Sequence, residues 1–201
     1  MSIGSIKLRS DLLVISELIN AGEKVLDLGC GDGTLLKYLV DTHDVTGRGV
    51  ELSEAGVLAC VSRGLSVRQG NLQEALGDYP DKAFDSVILG QTVPYIDDLS
   101  LVFKEMLRVG KRTIVSFPNW GHWRCRLTFL LQGISPISQD LPLAWESSPR
   151  IRTVTIRDFE EFCSKYRIVI NKHIYLQHDL RIPDRFDKNL RATSAVYELL
   201  A

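Results

Sequence analysis

From position 25 to 33 the chain reads Val-Leu-Asp-Leu-Gly-Cys-Gly-Asp-Gly, an apolar stretch running into glycines at 29, 31 and 33. Glycines so placed permit a tight turn with positive φ and let a ligand rest on bare backbone at the start of a helix. Asp27 stands just before them, where a carboxylate organises the turn and faces a cationic ligand. Glu51 closes Val45-Thr-Gly-Arg-Gly-Val-Glu, 22 residues beyond Gly29. A carboxylate there can accept both hydroxyl protons of a ribose. In Gln69-Gly-Asn-Leu, Asn71 can accept from an exocyclic amine and donate to a ring nitrogen, the Leu72 N–H is a second donor, and Leu52 can lie against the base. The expected nucleoside pocket therefore comprises Asp27, Gly29, Cys30 (through its backbone), Gly31, Asp32, Glu51, Leu52, Asn71, Leu72 and, after a later strand, Gln91.

Two features choose the nucleoside. A dinucleotide fingerprint, Gly-x-Gly-x-x-Gly, would need glycine where this chain has Thr34. Asp27, Asp32 and Glu51 would also ring the pocket with three carboxylates, which repel a pyrophosphate and attract a sulfonium bearing an α-amino group. The expected ligand is S-adenosylmethionine, or its demethylated product S-adenosylhomocysteine, and an NAD-dependent oxidoreductase is disfavoured.

These residues need strand tips to hold them. Helical spacing over Ser10 to Ile19 is followed by a strand at Lys24 to Leu28, a helix at Leu35 to Val40, a strand at Val45 to Glu51 and a helix at Ser53 to Arg63. Strands at Leu65 to Gln69, Phe84 to Leu89 and Thr113 to Phe117 continue the alternation, with a helix over Leu99 to Val109. Strands separated by helices imply a parallel, doubly wound sheet whose ligands sit at the strands' carboxyl ends. The expected fold is an α/β, Rossmann-like, mostly parallel seven-stranded sheet with one antiparallel strand, Ala195 to Leu200, and helices on both faces. Thr155 to Cys163 reads as a capped helix, Arg167 to Asn171 as a strand, and Asp179 to Leu190 as a loop.

The rhythm breaks at about 118–152, a length typical of a lid or interface element inserted into a single domain. All three tryptophans fall there, with Arg124, Arg126, Arg150 and Arg152. His122 lies near a strand end and is a candidate general base; the alternative is a histidine packed between Trp120 and Trp123. Trp120, Trp123, Arg124 and Arg126 are candidates for contact with a substrate or partner.

Composition narrows the function classes. Twenty-four basic against 25 acidic residues in 201 leave no field to hold a nucleic acid or membrane surface. No apolar run is long enough for a membrane span and no signal peptide is visible, so a cytoplasmic protein is expected. Cys30, Cys60, Cys125 and Cys163 stand far apart, as do the four histidines, so no metal site or disulfide framework is expected, and the cysteines read as small buried hydrophobes.

Asp27-Leu-Gly-Cys-Gly-Asp-Gly, Glu51, Asn71-Leu72 and Phe84-Asp-Ser-Val-Ile-Leu-Gly-Gln91 resemble, in order and spacing, the motifs of class I S-adenosylmethionine-dependent methyltransferases. Many members carry aspartate where this chain has Asn71. With Leu8-Arg-Ser-Asp-Leu, Met106-Leu-Arg-Val-Gly, Ser116-Phe-Pro-Asn-Trp-Gly-His-Trp-Arg and Thr155-Ile-Arg-Asp-Phe, the chain more narrowly resembles the methionine-biosynthesis MetW family, up to about position 177. That resemblance implies a role beside homoserine O-acyltransferase, through physical association. Two functions are therefore expected in competition: a binding or regulatory partner of that acyltransferase, and an active methyltransferase on a small acceptor.

Overall fold

The computed structural model describes residues 8–137 and 152–201. Its eight strands form one sheet in the order β3-β2-β1-β4-β5-β8-β6-β7. Strands β1 (Lys24–Leu28), β2 (Thr46–Glu51), β3 (Val67–Gln69), β4 (Phe84–Gly90) and β5 (Gly110–Pro118) pair in parallel. β8 (Ser194–Leu200) lies antiparallel between β5 and β6 (Val169–Gln177), with Val115 opposite Tyr197.

The sheet has one strand more than the expected seven, and two strands oppose the parallel set rather than one. The stretch expected as a loop after His178 turns back tightly, with His178 at φ +54°, and gives a short edge strand β7 (Leu180–Ile182). It then forms a helical turn, α8 (Lys188–Arg191). Three residues of edge strand leave no sequence periodicity to read.

Alternate residues of the central strands face opposite sides, as the two-residue strand period requires. Leu26, Leu28, Val87, Leu89, Val115 and Phe117 pack beneath α4 (Leu72–Gly77), α5 (Leu99–Val109) and α7 (Ile156–Tyr166). Val25, Ile88, Ile114 and Val196 pack on the other side with α1 (Ser10–Leu18), α2 (Thr34–His43) and α3 (Glu54–Ser62). The expected helices on both faces are thus present. A capping box between Thr155 and Asp158 starts α7. The four cysteines are buried, as small hydrophobes are.

Of the stretch where the sequence rhythm breaks, the described part after β5 forms α6 (Trp123–Gln132). Trp145 and Arg150 lie outside the described residues. Among the described residues, no helix is long and apolar enough to cross a membrane, and no cluster of three or more His, Cys, Asp or Glu is placed to hold a metal.

Candidate functional site

The carboxyl ends of β1, β2 and β3 and the loop after β4 enclose a cavity of about 270 Å³ lined by Gly29, Glu51, Leu52, Asn71 and Leu72. Five of the expected pocket residues therefore meet at one place, at the sheet edge where doubly wound folds bind ligands. Its other wall was not foreseen: Thr92, Tyr95, Ile96 and Asp97. The available sequence signal was Pro94-Tyr95 shortly after a strand; the pair lies in a short helical turn, Val93–Tyr95, with Tyr95 half-exposed.

Gly29 has φ +69°, and a Cβ there would stand 2.7 Å from Thr92 Oγ1. The turn is therefore open only to glycine, because an added side chain would be strained in backbone and blocked in space. Its N–H, and that of Cys30, donate to the Val50 carbonyl at 2.8 and 3.1 Å, pinning the loop to β2. Cys30 thus acts through its backbone, while its thiol packs 3.7 Å from Cys60 Sγ, and burial pushes it well above the usual thiol range.

The carboxylates divide by role. Glu51 Oε2 accepts the Gly31 N–H at 2.9 Å, and Oε1 accepts both N–H and hydroxyl of Ser53 at 2.8 Å. A carboxylate offers about four lone-pair sites, so Glu51 organises the loop and keeps little spare capacity. Asp32, expected on the ring of acids, instead pairs with Arg63 at 2.8 Å and accepts from Thr34. Its charge is compensated outside the cavity, so of the three expected carboxylates only Glu51 lines the cavity, Asp27 lies buried beneath it, and Asp97 of the other wall adds an acid that was not expected.

Asp27 lies 3 % exposed beneath the glycine loop. Burial, with the nearby Glu51 charge, pushes its carboxyl up to about 7, and Arg9 partly offsets this. Such a carboxylate gains from a cation placed above it. Arg9 belongs to the Leu8-Arg-Ser-Asp motif and is held by a fork to the buried Asp11, at 3.1 and 3.3 Å. Asp11 in turn accepts from Ser116.

Asn71 caps α4: its Oδ1 accepts the Gln73 N–H at 2.8 Å. The amide nitrogen remains to donate to a base. Gln91 has φ +54° and donates its backbone N–H to Ser116, and it does not line the cavity.

His122 lies elsewhere, in a second cavity of about 510 Å³ over β5, β8 and α6. Its Nδ1 accepts from the Arg124 N–H at 3.4 Å, capping α6. Burial and the charges of Arg124 and His178 hold its pKa below the usual imidazole range. With its Nδ1 lone pair accepting from the Arg124 N–H, the neutral ring carries its proton on Nε2, which has no hydrogen-bond partner, and His122 does not line the nucleoside cavity where the expected general base would act. Trp123 is 40 % exposed with Arg124 5.3 Å above its ring, whereas Arg126 turns back to the Gly121 carbonyl at 2.7 Å. Trp120 is partly buried, its backbone N–H donating to the Val154 carbonyl at 3.0 Å and its indole N–H without a hydrogen-bond partner. Arg152 returns the chain to the first cavity, donating to the Ile96 and Asp97 carbonyls that brace its wall.

Residues 9–199 match the family described as methionine biosynthesis protein MetW. The chain belongs to the MetW family. The bifunctional methionine biosynthesis protein MetXA/MetW of Rhodopirellula baltica is 35 % identical over 202 residues, a stretch that covers 95 % of this MetW-family chain and 32 % of the relative. The chain thus spans about a third of that bifunctional protein. Among solved structures, a S-adenosylmethionine-dependent methyltransferase from Thermotoga maritima, a possible histamine N-methyltransferase, superposes with a TM-score of 0.66 at 15 % identity. That alignment covers 95 % of this chain and 87 % of the other. The [4+2]-cyclase SpnF superposes at 0.67 and 16 % identity, covering 95 % of this chain and 79 % of the cyclase. This MetW-family chain therefore has the class I methyltransferase fold, and that fold by itself does not specify methyl transfer.

Proposed function

We propose that this chain binds S-adenosylmethionine or S-adenosylhomocysteine in the cavity at the tips of β1 to β4, and serves methionine biosynthesis as a partner of homoserine O-acyltransferase. The observation carrying the first half is the buried Asp27, its pKa raised, beneath a loop whose Gly29 admits no side chain. In this reading the ligand's cationic α-amino group lies there, Glu51 and Leu52 stand beside the ribose and base, and the Asn71 amide with the Leu72 N–H meets the base edge, and the lining of the cavity supports it. When bound, the cofactor would supply an activated methyl group; the chain's own part is to orient it and keep water away. Calorimetry with S-adenosylmethionine, S-adenosylhomocysteine and NAD tests this: the first two bind and NAD does not. Binding of NAD alone sinks the reading.

The partner role is supported by the MetXA/MetW fusion and by α6, which exposes Trp123, Leu127, Phe129, Leu130 and Leu131 on a surface helix. Contiguous exposed apolar surface of this kind marks interaction sites. Co-purification with the acyltransferase, and a changed acyltransferase rate on adding this chain, are expected; indifference of both overturns the role. A second reading, an active methyltransferase, is favoured by the open second cavity on the same sheet edge, and methyl transfer to a small acceptor in a broad panel would establish it.

A further inference from the structure

We propose that the cavity beside α6 is a separate binding site for a small carboxylate with an apolar body. Its polar end is built from His122, Arg124, Asn119, His178 and Thr193, and its apolar side from Trp123, Leu127, Leu131 and Ile137. Among the described residues, no Asp or Glu lines it, so one end collects donors and positive charge.

The donor end is pre-set by the fold. Asn119, 1 % exposed, donates through Nδ2 to the Asn189 and Ala192 carbonyls at 3.0 and 2.8 Å. Its Oδ1 accepts from the N–H groups of Gly121 and Ile156 at 2.9 and 3.2 Å. This locks the turn that delivers His122 to the start of α6, a ten-residue helix. Free N–H groups at a helix start favour an anion.

His122 supplies the independent sign of a ligand. The ring is 95 % buried by area (5 % exposed), its Nδ1 caps the helix, and its Nε2 has no hydrogen-bond partner. A buried N–H left unpaired is costly, and a ligand oxygen that reaches it as the ring shifts would recover that cost. The neutral ring together with one guanidinium matches a monoanion better than a doubly charged phosphate, so a carboxylate is the group the site suits. The site shares no lining residue with the nucleoside cavity, and the proposal stands whether or not that cavity binds its own ligand.

The test is titration of the full chain with hexanoate, with hexanol and acetate as controls, read by the imidazole ¹⁵N and ¹H signals of His122. Hexanoate is expected to shift these signals saturably, hexanol not to bind, and acetate to bind at least tenfold more weakly. Arg124→Gln, at an exposed position, and Thr128→Glu, which places a carboxylate in the cavity wall, are each expected to weaken hexanoate at least tenfold while melting as the parent does. Hexanol binding as tightly as hexanoate, a His122 ring unmoved by hexanoate, or an Arg124→Gln variant binding like the parent overturns the proposal. Should Thr128→Glu fail to fold, the Arg124→Gln comparison decides alone.

Discussion

Glu51 Oε2 accepts the Gly31 N–H at 2.9 Å while its other oxygen holds Ser53, so one carboxylate at the tip of β2 fixes both the glycine loop and the start of α3. Glu51→Gln keeps the shape but turns an amide N–H₂ toward one of these donors. Ligand affinity in calorimetry is expected to fall at least tenfold, and the melting temperature to drop with a loss of about 1–2 kcal/mol. Unchanged affinity would mean that Glu51 serves only the loop.

Asp27 makes binding depend on pH. Its carboxyl is raised to about 7 in the folded chain, chiefly by burial, so between its ordinary value of 3.8 and that point the folded state holds a proton the unfolded state has released. Stability of the free protein therefore falls as pH rises across that window and levels above it. A ligand ammonium favours the ionised form, so affinity should rise about tenfold per pH unit up to about 7 and flatten beyond. Calorimetry across pH 5.5 to 8.5 checks this, and Asp27→Asn should abolish the slope.

Gly29→Ala tests the floor of the cavity. With φ at +69° and the new methyl 2.7 Å from Thr92 Oγ1, a stability loss of about 1–3 kcal/mol and severe loss of ligand binding are expected. Gly29→Ala combined with Thr92→Ala should recover part of the stability, because the steric contact is removed and the backbone strain is not. Chemical denaturation of the two variants separates these contributions.

Arg112 crosses the lower part of the sheet to Glu23 and Glu198, at 2.7 Å each, and the Glu198 carboxylate is 2 % exposed. Replacing Arg112 with methionine would leave the buried Glu198 with the exposed Lys172, at 3.8 Å, as its remaining cation and Glu23 with hydrogen bonds from Ser86 and Asn20 alone, and a loss of about 3–5 kcal/mol is expected in denaturant melts. The site is at the opposite ends of the strands, so ligand affinity of the folded fraction should stay unchanged.

On α6, Leu130 is 78 % exposed and touches neither core. Leu130→Asp is expected to leave the melting temperature within about 0.5 kcal/mol of the parent while weakening co-purification with homoserine O-acyltransferase. Retained association would move the docking surface away from this helix.

Local chemistry made much of this legible in advance. The glycine loop, the alternation of apolar strands with helices and the acid at the end of β2 are properties of short segments, and each appears where its spacing implied. Partnerships across the fold were not legible: which of three acids faces the cavity, that Arg63 captures Asp32, that Thr92 to Asp97 close the pocket, and that His122 caps a helix over another cavity. Spacing along the chain fixes backbone shape and face, which are local quantities. The charge and hydrogen-bonding state of a side chain is set by neighbours dozens of residues away, and only packing brings those neighbours together.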